Sequence, residues 1–275
     1  MKIDYSKLIM FKLFTSKPRK SPYGWFGNYP CWDDLIESVD GYSSVNILDK
    51  TKEALLQVKN GTAIYERDSV LFDKIVHPFP LLTCLFHSAA LLKRPINIID
   101  FGGSLGSTYF QTKNLIGKDI CASWNIVEQE HYVKAGKEYF EDDHLKFFSS
   151  IENCLQVQKI DLILFSSSIQ YLPEPHLLLK QLAGYNFDFI VFDRTAFHHG
   201  KKDRLTLQIV PPEIYKAAYP AWFFHEESFL NHFTSDYTVI CDFTSYVEGE
   251  SVMDIDHEPV GYDKGFYLVN TSKYA

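Results

Sequence analysis

The chain has 275 residues, 46% hydrophobic and 23% charged, enough to bury a substantial core without disulfides or metals. Its formal net charge of −8, from 27 Lys+Arg against 35 Asp+Glu, argues against a general nucleic-acid binder, which needs clustered cations. Five scattered cysteines with no CxxC pair argue against a disulfide framework or zinc knuckle and fit a reducing, cytoplasmic setting. Aromatics make up 16% of the chain, and composition does not divide them between core and pocket.

The first residues, MKIDYSKLIMFKLFTSKPRK, hold a short apolar stretch interrupted by Lys7 and Lys12. It is too short for a transmembrane span and lacks the core of a signal peptide. A loosely ordered tail and a short amphipathic surface helix both remain open. From Ser16 to about Asn46 the composition predicts an irregular, aromatic-pinned loop, with a short helix from Trp32 or Asp33. Helical patterns follow over about Ile47–Lys59 and Val70–Leu92, the second broken near His77-Pro78-Phe79-Pro80.

After Arg94-Pro95 the texture changes. INIIDFGG is a β-branched apolar run ending at glycines, as in a strand buried on both faces. WNIVEQ, LKFF, DLILFSSS and FDFIVFDR repeat the theme, with helix-forming segments such as Gln129–Phe140 and Pro175–Leu182 between them. Alternating strands and helices predict right-handed crossovers and a Rossmann-like, doubly wound α/β sheet. YTVICDF and GFYLVN predict a final antiparallel pair at the sheet edge, joined across the polar stretch Ser245–Lys264. The expected organisation is an N-terminal helical and loop extension over residues 1–94, covering the site. An α/β domain over 95–275 follows, with an aromatic insertion at about 195–227.

The chemistry sits at Asp100-Phe101-Gly102-Gly103-Ser104-Leu105-Gly106, between the first sheet strand and a helix. Glycines there let backbone approach a ligand, and helix N-terminal amides face it. The next strand ends at Glu128, placed to accept hydrogen bonds from ribose hydroxyls. A dinucleotide fingerprint fails, because Ser104 and Ser107 stand where glycines are needed; a Walker loop fails for want of its lysine.

The Asp-x-Gly-x-x-x-Gly spacing resembles motif I of class I S-adenosylmethionine-dependent methyltransferases, with Ser104 where many members carry glycine. Asp161–Pro175, DLILFSSSIQYLPEP, looks like the fourth-strand motif of that family. The resemblance implies a mostly parallel seven-stranded sheet with an antiparallel edge strand, and S-adenosylmethionine as cofactor. It assigns cofactor binding to Asp100, Phe101, Gly102, Gly103, Ser104, Gly106, Glu128, Gln129, Ser166 and Ser167. Arg67 is a candidate for the cofactor carboxylate, against a helix start capped by Asp68.

Further pieces look like a bacterial methyltransferase family associated with surface-polysaccharide gene clusters. They are Gly27-Asn28-Tyr29-Pro30-x-Trp32, Tyr65–Phe72, Asp193-Arg194-Thr195-x-Phe197, Gln208-x-Val210-Pro211-Pro212 and Tyr215-x-x-x-Tyr219-Pro220-x-Trp222.

The predicted reaction is methyl transfer to an oxygen or nitrogen of a small-molecule or carbohydrate acceptor. His198, His199 or Tyr171 are candidate bases, and His198-His199 alone is a weak metal signal, so no metal is expected. Arg194, Gln208, Tyr215, Tyr219 and Trp222 are candidate acceptor-binding residues, with no nucleic-acid partner and no stable membrane insertion expected. Two other classes stay open: a catalytically inactive binding or regulatory protein on the same fold, and an NAD-dependent oxidoreductase.

Overall fold

The computed structural model describes residues 21–36 and 45–274; the N-terminal tail lies outside the described residues. The extension supplies β1 (Gly24–Tyr29), α1 (Asp33–Ile36), α2 (Val45–Lys59), β2 (Tyr65–Arg67), β3 (Val70–Phe72) and α3 (Phe79–Leu92). An alternating run follows: β4 (Ile96–Phe101), α4 (Ser107–Ile120), β5 (Cys121–Val127), α5 (Glu130–Tyr139), β6 (Leu145–Phe148) and α6 (Ile151–Val157). It continues through β7 (Leu162–Ser166), a 3-10 turn (Ile169–Tyr171), α7 (Pro175–Tyr185) and β8 (Phe189–His198). The chain ends with β9 (Arg204–Ile209), β10 (Ala218–Phe223), α8 (Glu226–Leu230), β11 (Tyr237–Thr244), β12 (Met253–Ile255), β13 (Glu258–Asn270) and α9 (Thr271–Tyr274).

Among the described residues the sheet has eleven strands rather than seven. Strands β6, β5, β4, β7 and β8 run parallel in that spatial order, so the order reverses beside β4. In an open α/β sheet, that switch point leaves a crevice beyond the strands' carboxyl ends. The antiparallel strand is β13, and it is not at the edge. Its 13 residues are long enough for two neighbours on its outer side. The C-terminal half pairs with β11, the N-terminal half with β12. From β12 the sheet continues through β1, β9 and β10.

Two segments depart from the sequence-based expectation. Residues 24–29 form a strand rather than a loop, held antiparallel to β9 and parallel to β12. Val70–Phe72 is a strand rather than a helix start. Asp68 and Ser69 both have positive φ, 52° and 67°, as a two-residue hairpin turn of the primed type requires. Asp68 therefore turns a hairpin, and the helix begins only at Phe79, after Pro78.

Apolar residues of α2–α5 cover one sheet face, around the fully buried Trp124 and Tyr132. Residues of α6–α8 cover the other, where Phe165, Phe192, Phe197, Phe224, Phe229 and Phe266 form a continuous aromatic core. Much of the phenylalanine content is thus packing.

Candidate functional site

The site begins where β4 ends. Asp100 is buried, and its Oδ2 accepts the Trp124 indole N–H at 3.0 Å. Burial pushes its carboxyl up to about 7, against that hydrogen bond. Gly102 has φ +71°, and a Cβ there would lie 2.6 Å from the Ser168 Cβ. A Cβ on Gly103 would lie 2.6 Å from the Asp100 carboxyl. No side chain fits at either position. Ser104 holds φ +55°, the left-handed conformation that glycine would adopt without strain. Its backbone N–H donates to Glu128 Oε1 at 3.2 Å, tying the loop to the end of β5.

Glu128 Oε2 accepts the Gln129 N–H at 2.8 Å. A carboxylate has about four acceptor positions, so capacity remains toward the cavity that Glu128 lines. Burial pushes this group also up to about 7. That cavity measures about 830 Å³. Phe101, Gly102, Gln129, Ser149–Ile151 and Ser167 line it from the ends of the parallel strands and the segments after them; Arg194, Gln208, Tyr215 and Tyr219 line it as a second group. Pairing explains the second group: Gln208 on β9 stands between Trp25 on β1 and Tyr219 on β10.

A smaller cavity of about 80 Å³ adjoins the glycine loop, lined by Arg67, Gly103, Ser104, Ser107 and Ser166. Gly102, Asp68, Ser167, Arg194 and Tyr215 line both cavities. The β2–β3 hairpin closes the small one. Buried Glu66 accepts the Ser69 N–H at 2.7 Å and the Ser107 hydroxyl at 2.5 Å, fastening the turn to the start of α4. Arg67 lies over the Phe72 ring, 5.2 Å from its centroid.

The sequence alone did not reveal the charged wall. Phe192 pairs with Phe266, and Thr195 with Lys264, so two β8 residues oppose one on β13. Arg194 sits in this bulge with φ +51°. Its fork meets Glu250, Nε to Oε2 at 3.0 Å and Nη2 to Oε1 at 3.0 Å, with Asp68 3.6 Å away. Burial alone would lower the guanidinium; Glu250 and Asp68 outweigh it and hold it well above its ordinary range. Asp193 beside it is buried, which pushes its carboxyl up to about 6, and it accepts the Ser166 hydroxyl at 3.0 Å. Glu250 and Asp263 belong to the stretch read from sequence as a polar connection, yet both line the large cavity.

Five expected residues line neither cavity: Asp100, Gly106, His198, His199 and Trp222. His198 and His199 line a separate depression with Lys201, Lys202 and Arg204. Both His198 ring nitrogens are engaged, Nε2 with the Lys202 carbonyl at 2.7 Å and Nδ1 with the Gly200 N–H at 3.2 Å. Burial lowers its pKa, which favours the neutral ring. His199 stacks on Tyr262. Trp222 donates to the Leu172 carbonyl at 3.1 Å and stacks on Trp32, bracing the cavity from outside its lining. Tyr171 does line the cavity, but desolvation pushes its phenol far above the ordinary value; its O–H donates to Gln208 Oε1 at 2.9 Å. A phenol so shifted is a hydrogen-bond donor at neutral pH.

No family model matches the sequence, and no curated protein matches it. Solved structures do match. One is a S-adenosylmethionine-dependent methyltransferase from Clostridium acetobutylicum, 10% identical, covering 71% of this chain and 92% of that one, TM-score 0.44. Another is the N-terminal domain of EvdMO1 in the presence of SAH and D-fucose, 13% identical, covering 84% and 97%, TM-score 0.47. A third is the Burkholderia thailandensis 1,6-didemethyltoxoflavin-N1-methyltransferase, 9% identical, covering 80% and 87%, TM-score 0.42. The Rossmann-like assignment rests on the strand order itself. Among the described residues no helix is long and apolar enough to cross a membrane, and no group of three or more His, Cys, Asp or Glu is placed to hold a metal.

Proposed function

We propose that this chain is a S-adenosylmethionine-dependent methyltransferase that methylates an oxygen or nitrogen of a small-molecule or carbohydrate acceptor. One observation carries the reading: the glycine loop after β4 and Glu128 after β5 meet in a single cavity that continues into an aromatic, hydrogen-bonding compartment. About 830 Å³ lies within the range of small-molecule sites.

The residues present fit such a cofactor. Gly102 and Gly103 leave no room for a side chain, so backbone alone faces the ligand. The Ser168 hydroxyl and Gln170 Oε1, on cavity-lining residues, are buried without hydrogen-bond partners among the described residues. Glu128 would hold the ribose hydroxyls, with Gln129 and Ser149–Ile151 beside the base. Arg67, in the small cavity, would take the carboxylate. Bound S-adenosylmethionine would supply an electrophilic methyl group; the protein's part is to orient the acceptor against it, and positioning of this kind contributes much of such a rate enhancement.

For the acceptor, Tyr23, Trp25, Tyr215 and Tyr219 offer faces on which a sugar ring stacks, and Gln208 offers a hydrogen-bonding amide. The resemblance to a family associated with surface-polysaccharide genes supports a carbohydrate. Five free thiols fit a cytoplasmic setting. Calorimetry with S-adenosylmethionine and S-adenosylhomocysteine tests the assignment. Both should bind the intact protein, and no heat at sub-millimolar concentration would sink it. A methyl-release assay with nucleotide sugars and glycan extracts then separates an enzyme from an inactive binding protein.

A further inference from the structure

Asp263 lies on β13 directly opposite Ala196 of β8, and both line the large cavity. It is 5% exposed, and among the described residues its Oδ1 has no hydrogen-bond donor against it. Its backbone N–H donates to the Glu250 carbonyl at 2.9 Å, which sets the two residues side by side. The Arg194 fork occupies both Glu250 oxygens, and the Ser245 hydroxyl donates to Oε2 at 2.7 Å. Arg194 is thus committed to Glu250, with Asp68 as its other acidic neighbour. Among the described residues the titratable and charged groups that face Asp263 are Glu250, Arg194 and Asp193, with Tyr171 lining the same cavity. The one cation among them is already paired.

We propose that Asp263 is the catalytic base that takes the acceptor's proton during methyl transfer, with Glu250 and Arg194 as positioning residues; this rests on the methyltransferase reading above. The acceptor's O–H or N–H bond breaks, and its proton goes to the Asp263 carboxylate. The acceptor atom gains the methyl group as the methyl–sulfur electron pair stays on sulfur. One positive and one negative charge disappear together, which a low-dielectric cavity favours. Burial and the neighbouring Glu250 charge hold the Asp263 carboxyl well above its ordinary value. A carboxylate raised in this way is a stronger base than one at the surface.

The test uses the full chain and the variants Asp263→Asn, Asp263→Glu and Glu250→Gln. Asp263→Asn should bind S-adenosylmethionine in calorimetry as the wild type does. Its kcat for methylating a panel of monosaccharides, amino sugars and nucleotide sugars should fall by roughly 100-fold or more, with KM little changed. Asp263→Glu should recover part of the rate. The wild-type rate should rise with pH to a plateau, and Asp263→Asn should lose that rise. Independently, carbon-13 NMR of aspartate carboxyls in ligand-free protein should show a resonance, absent from Asp263→Asn, that titrates well above the ordinary aspartate range. Glu250→Gln should move that midpoint down.

An Asp263→Asn protein with wild-type kcat and pH profile overturns the proposal. So does an Asp263 resonance that ionises within the ordinary aspartate range. If no panel member is methylated, the resonance decides alone. If the wild type fails to bind S-adenosylmethionine, the cofactor reading falls separately, while the resonance still reports on the carboxyl pair.

Discussion

Trp124 and Asp100 meet diagonally across adjacent strands, the indole N–H donating to the buried carboxyl at 3.0 Å. Among the described residues no other donor reaches this carboxyl, whose Oδ1 is unpartnered. Trp124→Phe keeps the ring and removes the donor. The loss of such a bond to a buried group costs about 1–3 kcal/mol, measurable by urea unfolding. The carboxyl should then ionise at higher pH still, because the bond favours its charged form.

Asp100, Glu128 and Glu66 all sit near 7 in the folded chain because burial disfavours their charge. Unfolded carboxyls titrate near 4. The folded state therefore binds more protons between about pH 4 and 7. Their contribution to stability is fully present below about pH 4 and lost as pH rises through 7. Ligand-free protein should unfold at lower urea at pH 8 than at pH 5.5, and Asp100→Asn should flatten that difference.

Gly103→Ala places a Cβ against the Asp100 carboxyl, and the loop must move. Affinity for S-adenosylhomocysteine should fall by roughly tenfold or more, the scale of a 1–3 kcal/mol overpacking cost. Gly184, near the end of α7, has nothing within 4 Å of its Cβ position. Gly184→Ala should leave affinity unchanged and raise stability by a few tenths to about 1 kcal/mol.

Glu128→Gln keeps the shape but turns one acceptor oxygen into a donor facing backbone N–H groups. Both S-adenosylmethionine and S-adenosylhomocysteine should bind about 10–100-fold more weakly, the scale of losing hydrogen bonds to a charged group. His199→Ala, outside the cavity, should change neither affinity.

Arg194→Ala leaves Glu250 without its fork and Asp263 beside an uncompensated charge. Removing one partner of a buried pair costs about 3–5 kcal/mol. The melting temperature should drop by several degrees, and more at pH 8 than at pH 5.5, since protonation relieves the acidic pair.

The parallel core was legible because each of its strands is a continuous apolar run with a local signature. Asp100 and Glu128 could be placed at strand ends for the same reason: each closes such a run. Glu250 could not, because its partner Arg194 is 56 residues away and nothing near it in sequence marks it. The strand β1 escaped because glycine and proline dominate its surroundings, while its pairing comes from β9, far along the chain. The β2–β3 turn uses Asp68-Ser69 instead of the usual Asn-Gly, and Val70-Leu71-Phe72 reads equally well as the first turn of a helix. His198 and His199 were placed near the site because β8 points there, but Arg194 and Ala196 face the cavity and the histidines lie past it.

The two outer partners of β13 have a mechanical consequence. The four added strands enclose only two small apolar clusters, each of four buried residues, one of them shared with α2 and the other with β8. They do not form an independent module. They are a graft whose rootstock is the strand that carries Asp263. Loosening the aromatic compartment must therefore be felt along β13 itself, so acceptor binding and the stiffness of that strand should rise and fall together.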